Sequence, residues 1–263
     1  MQAVFLTGLK GVFRDRVFHG ILMAAVIYLM IPSISTLSMR QVTELSMTLA
    51  LSLLSFILLL LAVFLGGTTL WKDMERRYTY SVLGLPVSRQ NYLLGKFASL
   101  VCFVFLTAAF LGLLTVLAVV FSALEFPPFR PVQWDALVIA ILFDAFKYTL
   151  LIAVAFLLST VSTSFFLPIF GSISAFLAGS ASQQVFEYIQ TQQGQQLPEI
   201  IRFFAKAMYY LLPNFSAFDF KLNAIYAIPL DWGSVGLSAL YFVVYVSLTI
   251  GLAIVLFERR ELQ

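Results

Sequence analysis

Long apolar runs separated by short polar links organise this chain. Continuous, mostly apolar stretches cover residues 17–38, 46–70, 93–122, 135–158, 163–182 and 234–257. Each comes close to or exceeds the roughly 20 residues that a helix needs to cross hydrocarbon. None alternates apolar with polar positions as a barrel strand would. The fifth run is interrupted by Pro168, Gly171 and Gly179, and a polar link from Ser159 to Ser164 parts it from the fourth. Two helices fit that region better than one very long helix. Ahead of the first run, residues 2–16 read as an amphipathic helix, with Phe5, Leu6, Leu9, Val12 and Phe13 on one face and Thr7, Lys10, Arg14 and Asp15 on the other. Such a helix lies in the plane of the membrane interface.

Residues 183–232 break the rhythm. A Gln-rich stretch (Gln183, Gln184, Gln190, Gln192, Gln193, Gln195, Gln196) is followed by Ile200, Ile201, Phe203, Phe204, Met208, Tyr209, Leu211 and Leu212, bounded by Pro198 and Pro213. That block is too short and too charged to span, so it predicts a helix lying on, or dipping into, the outer leaflet. The pattern as a whole predicts an all-α integral membrane protein. It has six transmembrane helices, an N-terminal amphipathic elbow helix (1–16) and a short outer-leaflet helical segment between spans five and six.

Composition points the same way. The chain of 263 residues is 61% hydrophobic and 11% charged, with a mean hydropathy of +0.95, whereas a soluble domain is about 45–50% apolar and about 25% charged. This argues against a soluble enzyme, a disordered chain and a nucleic-acid-binding domain. The net charge of +3 comes from residues that orient the spans. Lys10, Arg14, Arg16, Lys72, Arg76, Arg77, Arg89, Lys96, Arg259 and Arg260 fall on one side, and Arg40, Arg130, Arg202, Lys206 and Lys221 on the other. Because basic residues near span ends stay in the cytoplasm, both termini are expected there. No small-residue cleavage site closes a short apolar region near Met1, so no signal peptide is expected. One cysteine (Cys102) and one histidine (His19) leave no intramolecular disulfide, no expected metal site and little proton-shuttle chemistry. Met23, Met30, Met39 and Met47 read as packing filler rather than a copper path.

Residues 71–92 carry the most distinctive pattern. Charged first turns (Lys72, Asp73, Glu75, Arg76, Arg77), apolar Val82 and Leu83, and a stop at Gly84 and Pro86 suggest a short cytoplasmic helix ended by a turn. The run Glu75-Arg76-Arg77, Val82-Leu83, Pro86-Val87-Ser88-Arg89 and Tyr92-Leu93-Leu94-Gly95-Lys96 resembles the loop of type-2 ABC transporter permeases, closest to the multicopper-enzyme-maturation permease branch. Tyr78 stands where many members have Thr. Leu212-Pro213-Asn214-Phe215, Phe218-Asp219-Phe220-Lys221 and the ending Phe257-Glu258-Arg259-Arg260-Glu261-Leu262 fit as well.

The resemblance implies one permease domain over 1–263 in a bacterial cytoplasmic (inner) membrane, pairing with a second copy of itself or a related permease, with room for a periplasmic accessory protein. A separate ABC ATPase subunit would bind ATP and Mg, contacting Asp73, Glu75, Arg76, Arg77, Pro86, Ser88 and Arg89, with a smaller contact at the link between spans four and five. This chain would bind no cofactor itself and have no catalytic site. Its residues agree on the missing motor, since Gly95-Lys96 is followed by Phe97 and no Gly-x-x-x-x-Gly-Lys-Ser/Thr occurs.

Asp144 and Lys147, three residues apart within the fourth run, share a helical face. A mid-membrane charge costs about 2.5–3.5 kcal/mol, and each Leu, Ile, Phe or Val returns only about 0.3–0.6 kcal/mol. The two should therefore face protein or a water-filled path, either lining a translocation route or neutralising each other to fix packing. Gly171, Ala175 and Gly179 recur every fourth residue, a spacing that lets helices approach closely. They suit a dimer seam or packing within one subunit. A scaffold or receptor subunit that moves nothing, and an intramembrane enzyme, remain competing readings.

Overall fold

The computed structural model describes residues 2–14, 17–37, 41–75, 88–128 and 130–259, and every regular element among them is helical. The α-helices are α1 (Gln2–Arg14), α2 (Val17–Ser35), α3 (Val42–Glu75), α4 (Arg89–Glu125), α5 (Trp134–Val161), α6 (Phe166–Gln190), α7 (Gln192–Gln195), α8 (Glu199–Leu211), α9 (Lys221–Tyr226) and α10 (Trp232–Arg259). A 3-10 turn occupies Phe215–Phe218. Helices α3, α4, α5 and α10 are long and apolar enough to cross a membrane. Each runs beyond its expected apolar limits, because backbone hydrogen bonding continues into polar flanks such as Lys72 and Gln90.

The first and fifth expected spans also fall on helices. Helix α2 covers 19 residues of the first apolar run. Helix α6 starts at Phe166 and continues through Gln183 and Gln184 to Gln190, so the Gln-rich stretch begins inside a helix. Glutamine is a good helix former, and no turn signal interrupts the chain before Thr191, whose side chain caps α7 by accepting from the Gly194 amide.

Helix α5 is the hub. Leu150, Leu151, Ile152 and Ala153 are fully buried in succession, which requires neighbours on every side, and α3, α4, α6 and α10 supply them. Helix α10 is peripheral: few of its apolar residues are buried, whereas most of those of α5 are. Its N-terminus is capped by Asp231, whose carboxylate accepts from the Ser234 hydroxyl at 2.6 Å and from the Gly233 and Ser234 amides at 3.1 Å. Those three donors hold the Asp231 carboxyl below the usual carboxylate range.

Helix α1 packs on α4. Val4, Gly8 and Val12 are buried while Leu6 and Phe13 are exposed. Gly8 sits directly against Ser99, and the Phe13 ring meets Phe103 edge-on at 5.2 Å. An interfacial helix has two apolar partners, protein and acyl chains. The small Gly8 takes the closest protein contact, Leu9 packs against the core beside it, and Leu6 is left outward.

The segment joining α8 to α10 folds back into the bundle. Phe215 and Phe218 are completely buried. Phe215 lies 5.4 Å from Phe176 of α6, and Phe220 lies 4.7 Å from Phe143 of α5. Buried irregular backbone needs protein partners for its polar groups. Here the Asn214 amide donates to the Tyr241 hydroxyl at 2.9 Å, the Ser216 hydroxyl donates to the Ser180 carbonyl at 2.7 Å, and the Ser238 hydroxyl donates to the Ala217 carbonyl at 2.8 Å. The segment therefore braces α6 against α10.

Candidate functional site

Two polar clusters stand out against the apolar bundle, one at the end where α3 finishes and α4 begins, the other inside. At the first, the Asp73 carboxylate receives the Tyr92 hydroxyl at 2.6 Å and the Lys96 ammonium at 2.7 Å on the same oxygen. Ser88 caps α4 by accepting from the Asn91 amide at 3.2 Å. Arg89 donates to the Glu258 carbonyl at 3.1 Å and the Phe257 carbonyl at 3.5 Å, so a cation closes the C-terminus of α10, where it is favoured. Gln90 adds a bond to the Glu258 carboxylate at 2.9 Å, and Tyr92 stacks on Phe257 with ring centroids 6.3 Å apart.

These bonds tie α3, α4 and α10 into one clamp. Of the seven expected coupling residues, Asp73, Ser88 and Arg89 form its base, and Glu75 is exposed beside it. Arg76, Arg77 and Pro86, with the expected short helix, lie outside the described residues. Tyr92 and Lys96 were legible only as parts of the resemblance; their structural task is to hold Asp73. Hydrogen bonds to a charged group are worth about 1.5–3 kcal/mol. Asp73→Ala is therefore expected to raise amide exchange across 88–96 by about tenfold, with α5 unchanged, as hydrogen-exchange mass spectrometry would read.

Inside the bundle, Asp144 is buried on α5 with 1% of its surface exposed. Its carboxylate accepts from the Ser55 hydroxyl of α3, and its ion-pair partner is Lys221 of α9, with the ammonium 3.5 Å away. Lys147 is not that partner. Its ammonium, on a side chain 7% exposed, sits 5.5 Å from the Phe176 ring centroid and 5.8 Å from that of Tyr148, positions at which a cation is attracted to the ring faces. The close bridge thus runs from α5 to the segment that carries Lys221, while Lys147, which also acts electrostatically on Asp144, rests on aromatic faces beside it. Asp219 is near enough to act electrostatically on both Asp144 and Lys147.

Sequence reasoning missed Lys221 and Ser55 as partners of Asp144. The available signal was the run Phe215 to Phe220, too aromatic for an exposed loop, which carries Lys221 inward with it. The small residues of α6 serve contacts within this chain: a side-chain carbon on Gly171 would meet Leu158 at 2.7 Å, and one on Gly179 would meet the Pro213 carbonyl and the Phe215 ring. Ala175 is half-buried between them. A scan against protein-family models and a search of curated proteins return no match for the chain.

Proposed function

We propose that this chain is the membrane-spanning permease subunit of an ATP-driven transporter in a bacterial cytoplasmic membrane. It works with a separate ATPase subunit and moves a substrate outward or extracts it from the bilayer. In this reading α2 and α6 cross the membrane together with α3, α4, α5 and α10, giving six spans with both termini in the cytoplasm. Two copies assemble, and the open apolar side of α10 faces lipid or the second copy.

The observation that carries the reading is the clamp at the base of the segment between α3 and α4. A loop rooted by Asp73, Tyr92, Lys96 and Arg89 into three long helices can pass a push from a partner to the bundle, whereas a loosely rooted loop would absorb it. The described ends of the pattern that resembles a permease loop, Asp73 and Ser88 to Lys96, meet in that clamp. Asp144 and Lys147 would then line or gate the path, since intramembrane ionisable groups facing protein are candidates for that role.

The test is to co-express the chain with each ATP-binding subunit of its native cell, purify the assembly and measure ATP hydrolysis in nanodiscs. One subunit should co-purify, and Arg76→Glu/Arg77→Glu should abolish the association while the chain stays folded. No assembly with any of them defeats the proposal. Assembly whose hydrolysis is indifferent to the double substitution supports a non-transporting scaffold instead.

A further inference from the structure

A concave site of about 380 Å³ opens beside α8, lined by Tyr209, Tyr210, Asn214, Ser238, Tyr241 and Tyr245 with Leu212, Ala217 and Leu237. It belongs to neither polar cluster. Its lining carries no charged side chain, so a fully charged ligand group would find no counter-ion there, and burying an unpaired charge is costly. Ligand sites commonly combine apolar and aromatic walls with a few placed polar groups, and this one does.

The hydrogen bonds around it leave a specific remainder. The Tyr241 hydroxyl accepts the Asn214 amide proton at 2.9 Å, so its own O–H is left to donate. The Tyr245 hydroxyl donates to the Leu211 carbonyl at 3.0 Å, so its oxygen is left to accept. The Ser238 hydroxyl donates to the Ala217 carbonyl at 2.8 Å and likewise keeps an acceptor. The Tyr209 and Tyr245 hydroxyls lie near enough to Tyr241 to act on it electrostatically. Tyr241 thus offers a donor beside acceptors on Tyr245 and Ser238, and the Tyr209 and Tyr210 hydroxyls complete the polar lining among the tyrosine rings. Tyrosine favours the boundary between water and hydrocarbon. The neighbouring α8 exposes Ile200, Phe203, Phe204 and Leu211, so the mouth opens where acyl chains would lie.

We propose that this tyrosine-lined site binds an uncharged ester lipid bearing a free hydroxyl, chemically a diacylglycerol. The ester carbonyl accepts from Tyr241, the lipid hydroxyl donates to Tyr245 or Ser238, and the chains run out past Leu237. The site is independent of ATP-driven transport, and its test requires no ATPase.

Full-length protein in nanodiscs is irradiated with a photoactivatable diacylglycerol, and labelled peptides are mapped by mass spectrometry against a phosphatidylcholine carrying the same photoreactive chain. The diacylglycerol should label peptides from 209–217 and 237–245 at least about fivefold above phosphatidylcholine, a ratio that one neutral hydrogen bond supplies. Tyr241→Phe should remove most of that preference. Because Tyr241→Phe also strips the Asn214 amide of its acceptor and can disturb the segment, Leu237→Trp is the second variant. Leu237 is 69% exposed and makes none of these bonds, so the indole fills the site from outside and should abolish the preferential labelling. Equal labelling by the two lipids marks ordinary boundary contact and overturns the proposal, as does a preference that survives Leu237→Trp.

Discussion

Asp144→Ala is expected to lower the unfolding free energy of the purified protein by about 3–5 kcal/mol, the usual penalty for removing one member of a buried ion pair. The cost arises in what remains, because Lys221 keeps its charge inside the bundle and the Ser55 hydroxyl loses its acceptor. Asp144→Leu/Lys221→Leu should recover most of the loss, since well-packed apolar replacements of buried pairs are commonly neutral or stabilising. Equilibrium unfolding in mixed micelles, followed by tryptophan fluorescence, reads all three states. The same cycle run with Lys147→Leu distinguishes the partners. Coupling with Lys221 should be large and coupling with Lys147 small, and the reverse order would restore the pair within α5.

Gly179→Ala is expected to be far more damaging than the same change at Gly236 or Gly251. Its added carbon would meet the Pro213 carbonyl and come within 2.8 Å of the Phe215 ring. A backbone carbonyl cannot swing aside as a flexible side chain can, so the re-entrant segment must move. Overpacking of this kind costs about 1–3 kcal/mol. Gly236→Ala and Gly251→Ala, which meet nothing within 4 Å, should be neutral or stabilise by up to about 1 kcal/mol through helix propensity. Thermal unfolding monitored by size-exclusion fluorescence ranks the three. If Gly179 served a dimer seam and not this chain's own packing, its substitution would change the oligomeric state and leave the melting temperature alone.

The two effects share a cause. Asp144 and Gly179 both contact the stretch from Pro213 to Lys221, which the sequence pattern places within an outer segment. Its Phe residues were visible, yet a linear sequence cannot tell a loop that lies on the bundle from one that enters it. The decision rests on whether partners exist for its irregular backbone, and Ser180, Gln183, Ser238 and Tyr241 provide them from two helices far apart in the chain. The clamp below was partly legible. The spacing of Asp73, Ser88, Arg89, Tyr92 and Lys96 stood out as a pattern, whereas their mutual bonds, and the use of Arg89 to close α10, depend on three helix ends meeting.

The α1 face shows the same limit on a smaller scale. Periodicity identified the helix and its apolar face, but its close approach to α4 depended on the small Gly8 meeting Ser99. By itself the sequence determined a helical membrane protein with long apolar helices at α3, α4, α5 and α10, because hydrocarbon accepts backbone only when every amide is bonded within its own segment. The tertiary structure alone decided that Asp144 answers to Lys221, that Lys147 rests on aromatic rings, and that four tyrosines from two separate segments converge on one concavity. Charge partners and cavities arise from which helices come to lie side by side, and that is set by packing over long separations along the chain.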